Sequence, residues 1–455
     1  MRNKTKILVL LACLGPSLGL RAQDSGRIEL SLEEALNCAR QNNIELKNSR
    51  LELKAARLQK DEVFTEYFPK LNAMAMSFYA MDPLLEISIT DILGNNDFAW
   101  GIQEKAQELA GIYGINTSYS AFKSGYSTSI SIMQPLFAGG RIVNGNKLAA
   151  LGVKASELKL SIQERKSAEE IEKAWWEIAS LEEKIENLKY LDRSLETIHG
   201  QLKGAVASGL SSESELLELE VKRNELKIGI KQAESGVKLL KLNLLNNIGL
   251  KYVYADSLSL KRESVEAQTP DFYYRDPAEI VSNMEESQLL DLQVKAKQME
   301  KKISIGESLP QLAIGATAGY SDLYNKAKFN SIAFATLQIP ISDWAKTSKK
   351  AKRIQTEIEK AENEREYIAE QLQLLVAKLW LDLNSSYDQW QLKQQALNTC
   401  QRLYEIALSN YGAGLIPLQE LLQAESKFHQ ASVDKSDALI AYRNAIIAYT
   451  GLINK

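Results

Sequence analysis

Apolar residues recur at helical spacing over three long stretches of the chain, residues 32–66, 143–206 and 346–410. The last two stretches each cover roughly 63 residues, or about 95 Å of α-helix. Ser31, with Glu34 three places on, has the capping-box spacing that opens the first stretch. A returning helical stretch of about 35 residues follows each long one, and the second carries a seven-residue repeat at Ala424, Ala431, Ala438 and Ala445. These patterns predict long helices packed as coiled coils.

Four short segments instead alternate in polarity, as β-strands do: residues 70–80, 127–137, 311–320 and 331–339. Residues 311–320 place Leu312, Ile314, Ala316 and Ala318 on one face and Ala313, Gly315, Thr317 and Gly319 on the other. Each segment is about ten residues long, the length of a tilted strand that crosses a bilayer. One apolar face and one small or polar face predict lipid outside and water inside.

The two sets of segments are copies of one pattern, displaced by 205 residues. The landmarks that repeat are Pro135 and Pro340, Trp175 and Trp380, Gly209 and Gly414, and Glu215 and Glu420. The chain is therefore predicted to be a duplicated half-molecule, since this period exceeds those of solenoid repeats. We expect a first repeat over residues 23–250, a linker or equatorial segment over 251–275, and a second repeat over 276–455.

Prolines mark the predicted strand–helix junctions at Pro69, Pro135, Pro310 and Pro340. The spacing within the first pair exceeds that within the second by 36 residues, which predicts an insert over residues 81–125 of the first hairpin. Long loops of membrane barrels lie outside the cell. We expect an extracellular loop there, with surface decoration favoured over a role in capping the pore or in recognition by phage or antibodies.

The first 22 residues have a basic start, an apolar run and a small residue at a cut site, which indicates an exported protein with a signal peptide over residues 1–22. An alternative cut before Cys13 would produce a lipidated N-terminus. Removing residues 1–22 leaves 51 basic and 58 acidic residues, a net charge of −7 that argues against nucleic acid as a partner. Cys38 and Cys400 are predicted to be unpaired thiols.

Four strands per chain cannot close a barrel, and open strand edges are not tolerated in lipid. Three copies would supply twelve strands, whereas two would supply eight and leave too narrow a lumen. The pattern therefore predicts a homotrimer.

The segment from Gln134 to Arg141, the turn Gly414-Leu415 followed by residues 420–424, and the matching turn Gly209-Leu210 followed by residues 215–218 resemble the TolC-like outer-membrane efflux family. The resemblance covers nearly all of the mature chain. It implies a mainly α-helical trimer, in which a periplasmic α-barrel continues into a 12-stranded β-barrel in the outer membrane of a Gram-negative bacterium. It also implies a periplasmic adaptor and an inner-membrane RND-type or ABC-type transporter as partners, in drug efflux or type I secretion.

The resemblance also assigns candidate sites. It places Glu420 and Gln423 at the periplasmic aperture, where three carboxylates would favour cations. The first-repeat counterparts are Glu215 and Glu218, and the turns that would contact the adaptor are Gly209, Leu210, Gly414 and Leu415. By spacing alone, the favoured interpretation of Glu420 is a solvated first-turn acid stabilised by the helix dipole, and the resemblance reverses this preference. The glycines are likewise explained by the positive φ of a tight reversal.

No phosphate-binding loop, metalloprotease motif, nucleophile elbow or Cys-x-x-Cys pair occurs in the sequence. His199 and His429 lack partners at metal-ligand spacing, and the tryptophans 175, 176, 380 and 390 have the spacing of core residues. We therefore expect no enzyme, cofactor or metal, but a duct that conducts passively. The alternative is an exported coiled-coil scaffold or adhesin without a pore. Drug, metal-ion, peptide and protein cargo all fit the sequence.

Overall fold

A computed structural model describes residues 28–82, 85–113, 119–121, 124–250, 258–261, 268–322 and 327–453. The predicted signal peptide and Cys13 lie outside these residues. The chain divides into two compact units. We call Met1–Leu51, Lys159–Ser287 and Ile368–Lys455 the helical unit, and Glu52–Leu158 with Gln288–Tyr367 the sheet unit.

The helices are α1 (Leu32–Asn42), α2 (Ile44–Phe64), α3 (Ile89–Leu93), α4 (Asp97–Tyr113), α5 (Arg141–Ala207), α6 (Glu213–Asn247), α7 (Pro277–Asn283), α8 (Glu285–Gly306), α9 (Asp343–Gly412) and α10 (Leu418–Ile453). The strands are β1 (Ile28–Leu30), β2 (Lys70–Tyr79), β3 (Leu85–Ile87), β4 (Tyr119–Ala121), β5 (Ser124–Ala138), β6 (Leu258–Leu260), β7 (Gln311–Asp322) and β8 (Lys328–Gln338).

The sheet unit contains a four-stranded antiparallel sheet with the order β2-β5-β7-β8. All four predicted strands are thus confirmed, and the central pair β5–β7 joins the two repeats. One row across the sheet consists of Leu71, Ile132, Ala316 and Ala333. The next row, which points to the opposite face because side chains alternate, consists of Asn72, Ser131, Thr317 and Ile332. The first of these rows is apolar, and the second is polar apart from Ile332. The face that holds the second row also carries larger apolar side chains at Met74, Met76, Phe78, Met133 and Phe334.

Both long helices are confirmed, with 67 residues in α5 and 70 in α9. The returning helices α6 and α10 contain 35 and 36 residues. Leu219, Leu226 and Ala233 of α6 recur every seven residues and are buried in the core of the helical unit. The residues of the predicted coiled-coil repeat in α6 are therefore core residues of the helical unit. Among the described residues, no helix is both long and apolar enough to cross a membrane.

The opening helical stretch, predicted as one helix over residues 32–66, is interrupted at Asn43, which separates α1 from α2. Asn43 Oδ1 accepts hydrogen bonds from the N–H groups of Glu45 and Leu46 at 2.8 and 3.1 Å, so this side chain caps α2. Its Nδ2 donates to the carbonyl of Asn247 at 2.7 Å. The second repeat has the same interruption at Met284, and both breaks lie 26 residues before a strand-flanking proline. The predicted capping box of Ser31 is confirmed.

Two further segments contain elements that the sequence patterns did not predict. The described part of the 251–275 segment, expected as a linker or equatorial segment, contains β6, which pairs in parallel with β1. The 81–125 insert is not a plain loop, because it holds α3, α4 and the two-stranded β3–β4 pair. Trp100 of α4 is exposed and its indole N–H donates to Asn95 Oδ1 at 2.6 Å. The side chains of Tyr113 and Tyr119 are not among those that the structure describes.

Candidate site at the helix tips

The first tip turn, residues 208–212, reverses the chain between α5 and α6. Gly209 has φ of 72°, a conformation that costs other residues energy because of their Cβ atoms. Its N–H donates to Val206 O at 3.0 Å, and the N–H of Leu210 donates to Ala205 O at 2.8 Å. These two bonds satisfy carbonyls at the end of α5 in a Schellman arrangement.

The second tip turn, residues 413–417, repeats this geometry between α9 and α10. Gly414 has φ of 74°, its N–H donates to Tyr411 O at 2.9 Å, and Leu415 N–H donates to Asn410 O at 2.8 Å. An added Cβ at Gly414 would meet nothing within 4 Å. The backbone conformation, rather than space, therefore explains the glycine.

Both turns present an apolar side chain to solvent, with Leu210 83% and Leu415 73% exposed. Adaptor docking at these turns remains a prediction.

The carboxylates that follow the two turns differ in their surroundings. Glu215 accepts a short hydrogen bond from Ser211 Oγ, and its own N–H donates to Ser212 Oγ at 3.3 Å. At the second turn Pro417 replaces the capping serine, and the N–H of Glu420 donates only to the Pro417 carbonyl, at 3.2 Å. The Glu420 carboxylate has no hydrogen-bonding or ion-pairing partner in the described chain and is exposed. The duplicated acids are therefore not equivalent.

Glu420 and Gln423 are both exposed and lie three residues apart on α10, so their side chains share one face of the helix. Glu218 is also exposed on α6. The structure therefore leaves both predicted aperture residues available to face a lumen or solvent.

A buried ion pair five residues beyond Glu420 was missed by the sequence reasoning. Glu425 is fully buried, and Lys222 Nζ of the first repeat lies 3.4 Å from its Oε2. Lys222 also donates to Ser426 Oγ at 2.9 Å. Glu425 Oε1 has no hydrogen-bond partner in the described structure. Burial raises the pKa of Glu425 despite the opposing effects of Lys222 and Ser426.

A signal for this pair exists in the sequence. Leu418, Leu421 and Leu422 are buried, and Glu425 follows at the next position of the same helical face. A carboxylate at that position predicts a buried charge with a partner from another helix.

Three of the four prolines lie where predicted: Pro69 and Pro310 immediately precede β2 and β7, and Pro340 lies between β8 and α9. Pro135 does not mark the end of its strand, because β5 continues to Ala138. The β5–β7 register shifts between Pro135 and Phe137, and this irregularity accommodates the missing proline N–H.

Strand β5 ends where two glycine residues are in close contact. Gly139 has φ of 63°, and a Cβ on Gly306 of α8 would overlap the Gly139 carbonyl oxygen. The backbones of the two repeats therefore touch at this point.

The remaining predicted features are structural. Trp175 is buried, Trp390 stacks on Tyr442 with centroids 5.8 Å apart, and Arg443 lies 4.3 Å from the ring centroid of Trp176. His199 Nε2 lies 3.0 Å from Glu220 Oε1. Cys38 and Cys400 are free thiols, as predicted. The described residues contain no group of three or more His, Cys, Asp or Glu side chains arranged to hold a metal ion.

The duplicated helical hairpins, the strand pairs that join in one sheet and the two glycine turns together define the fold of an outer-membrane efflux channel. Residues 288–455 match the family model described as outer membrane efflux protein. The resemblance to the TolC-like outer-membrane efflux family is therefore supported by the family model over residues 288–455, and the remainder of the chain shares the fold alone.

Solved structures share this fold over nearly the whole chain. A membrane protein from Pseudomonas aeruginosa is 14% identical, with a TM-score of 0.75 over 95% of this chain and 94% of its own. The CmeC outer membrane channel of Campylobacter jejuni is 14% identical, with a TM-score of 0.74 over 98% and 93%. The open state of the MtrE outer membrane channel of Neisseria gonorrhoeae is 13% identical, with a TM-score of 0.70 over 93% and 88%. No curated protein matches the sequence.

These identities establish a common fold and nothing finer. The predicted fold class and the outer-membrane location agree with the matched family, whose members are efflux proteins rather than known enzymes.

Proposed function

We propose that three copies of the chain form an outer-membrane exit duct, which receives substrates from a periplasmic adaptor and an inner-membrane pump and conducts them passively. The observation that carries this proposal is the open sheet. Strands β2 and β8 are its edges and have no strand partner on their outer sides in the described chain. Because lipid offers no hydrogen bonds, these edges require further strands, which second and third copies supply.

The faces of the sheet support the same conclusion. The row containing Leu71 and Ile132 would face lipid, and the row containing Asn72, Ser131 and Thr317 would face a water-filled lumen. Twelve strands fit such a lumen better than eight.

Two helices of the helical unit carry exposed apolar stripes that no described element covers. Leu217, Val221, Ile228 and Leu239 form the α6 stripe, with each side chain more than half exposed. The α9 stripe consists of Leu374, Leu381, Leu392 and Ile406, which are similarly exposed. Each stripe lies on one face of its helix, because its members recur at spacings close to multiples of 3.6 residues. Packing of the α6 stripe of one copy against the α9 stripe of the next would cover both stripes and close a ring.

The assembly is tested by measuring the mass of the detergent-solubilised protein and its conductance in planar bilayers. We expect three chains and open-channel currents. Ile228→Glu places a charge in the α6 stripe and should reduce the mass to that of one chain. Lys203→Glu changes an exposed side chain of α5 outside both stripes and should leave the trimer intact. A trimer that never conducts would instead support the scaffold or adhesin hypothesis.

We further propose that Glu420 and Gln423 line the periplasmic aperture. The exposed, unpaired carboxylate of Glu420 supports this role, since three such groups close together would attract cations. Glu420→Ala should lower the cation preference of single channels. Glu215→Ala is the matched control, because the Glu215 carboxylate is already bonded to Ser211 and should contribute less. Unchanged ion selectivity in Glu420→Ala would overturn the assignment.

The exposed leucines of the tip turns support adaptor docking there. Leu415→Asp should reduce site-specific cross-linking to the adaptor, while conductance of the isolated duct stays unchanged. Cross-linking at the wild-type level would limit the turns to a structural role.

A further inference from the structure

The insert of the first hairpin carries a helix, α4, that buries its small residues and exposes its large apolar ones. Ala99, Gln103 and Ala106 lie on the face that is partly or fully buried. The N–H of Thr90 in α3 donates to Gln103 Oε1 at 3.1 Å, and α3 lies against α4. The packing of α4 against its own chain therefore uses small and polar side chains.

The large apolar residues of α4 lie on a different face of the helix. Phe98, Ile102, Leu109 and Ile112 are between 37% and 72% exposed. Together with Lys105 they form a row with alternating spacings of four and three residues, which we call the α4 stripe. This spacing is that of a coiled-coil seam, and an exposed apolar row of this kind marks an interaction surface.

The insert leaves the sheet at a defined end. Tyr79 and Ser124 are the last pair of the β2–β5 ladder at that end, and the β7–β8 connection leaves the sheet from the same end. Helices α2 and α5 join the sheet at its other end. In the proposed duct, three inserts therefore surround the outer mouth of one barrel, and the three α4 stripes lie around one symmetry axis.

The charges of α4 favour a second copy over a lipid surface as the partner of the stripe. Lys105 occupies the centre of the stripe, and Glu108 borders the stripe three residues further on, so each copy offers a carboxylate near the lysine of its neighbour. Asp97, Glu104 and Glu108 against Lys105 give α4 a net charge of −2. Helices that lie on membranes instead carry an excess of Lys and Arg on their polar face.

We propose that the α4 helices of three copies pack against one another through the α4 stripe and form a three-helix lid over the outer mouth of the duct. This inference rests on the proposed trimer. Threefold symmetry makes the three helices run parallel, and a seam with this spacing is what a parallel bundle buries. A polar residue at the centre of a seam lowers stability and fixes the alignment of the helices, which is the role of Lys105.

Disulfide cross-linking of the full-length trimer tests the contact, in protein that carries Cys38→Ser and Cys400→Ser. Leu109→Cys places a thiol in the seam, and oxidation should produce a two-chain band on a non-reducing gel, since disulfides form between Cα atoms within about 7 Å of each other. Gln107→Cys is the matched control, because Gln107 is exposed on the side of α4 opposite the stripe. It should produce no such band.

Absence of the two-chain band in Leu109→Cys would overturn the proposal, and labelling of the same protein in lipid vesicles identifies what replaces it. A membrane-impermeant maleimide that labels Leu109→Cys much more slowly than Gln107→Cys would assign the stripe to the lipid surface. Equally fast labelling of the two variants would make the insert a free surface decoration.

Single-channel recordings test whether the three helices restrict the exit. Ile102→Asp with Leu109→Asp places charges in the stripe, so the helices should separate and the conductance should rise. Gln107→Asp is the matched control and should leave the conductance unchanged. Wild-type conductance in the double variant would refute the lid. The mass of the protein should stay at three chains in every variant, and a mass of one chain in the wild type would refute the proposed duct itself.

Discussion

Gly414→Ala isolates the contribution of backbone conformation to the second tip turn. The added methyl group meets nothing within 4 Å, so steric overlap with neighbours plays no part. The φ of 74° is the only obstacle. Gly412→Ala, two residues earlier at the end of α9, is the matched control, because its added methyl also meets nothing and its φ is not positive.

The magnitude follows from two opposing effects. An L-residue in the left-handed region loses about 1–2 kcal/mol. Both alanines restrict the unfolded chain and thereby gain about 0.4–1 kcal/mol. This gain is common to the two variants and cancels when they are compared. The turn of Gly414→Ala should therefore be about 1–2 kcal/mol less stable than that of Gly412→Ala, which is a factor of about 5–30 in its opening equilibrium.

Hydrogen–deuterium exchange on tip peptides measures this opening locally, since the Leu415 amide is protected by its bond to Asn410 O. We expect exchange at Leu415 to be faster in Gly414→Ala than in Gly412→Ala by that factor. Peptides of the first turn around Gly209 serve as an internal reference and should not change. Equal exchange rates in the two variants would refute the conformational account of the glycine.

Two further predictions concern packing and charge. Gly306→Ala should lower the free energy of unfolding by about 1–3 kcal/mol, because its methyl group would overlap the Gly139 carbonyl oxygen. The loss is measured as a lower midpoint of thermal unfolding, followed by circular dichroism. Gly152→Ala, whose methyl group meets nothing within 4 Å, should be neutral or stabilising, and equal losses in both would contradict the contact. Since burial raises the folded-state pKa of Glu425 above the ordinary 4.5, its contribution to stability is present in acid and is lost as the pH rises through the folded pKa. The stability of the wild type relative to Glu425→Gln should therefore fall from pH 4 towards neutrality, whereas a rise would show that the pairing with Lys222 outweighs burial.

The features that sequence reasoning predicted correctly depend on local patterns. Alternation along residues 311–320 predicts a strand whatever its neighbours are, and the glycine of each tip turn follows from a conformation that other residues avoid. The duplication then placed both halves of the sheet and both helical hairpins. The strand alternation and the turn glycines each lie within a few residues of the element that they predict.

The features that were missed depend on distant partners. The helix break at Asn43 is stabilised in part by the carbonyl of Asn247, which nothing near residue 43 indicates. Strands β1 and β6 have three residues each and exist through their pairing with one another. Glu425 is a different case. Its position on the buried face of α10 can be predicted from the sequence, but its partner Lys222 is identified only by the folded structure. The difference between Glu215 and Glu420 likewise depends on which turn supplies a serine cap.

The central strand pair also constrains the order in which the chain can fold. Ile130 of β5 and Ala318 of β7 lie directly opposite each other although 188 positions separate them in the chain. Closing so long a loop is entropically costly, and structures dominated by such non-local pairings form slowly. The helices of one hairpin, in contrast, meet across a turn of a few residues. Strand β5 therefore cannot pair with β7 until the second half of the polypeptide is present. Until then the β2–β5 hairpin exposes an unpaired strand edge, which requires protection from aggregation during export.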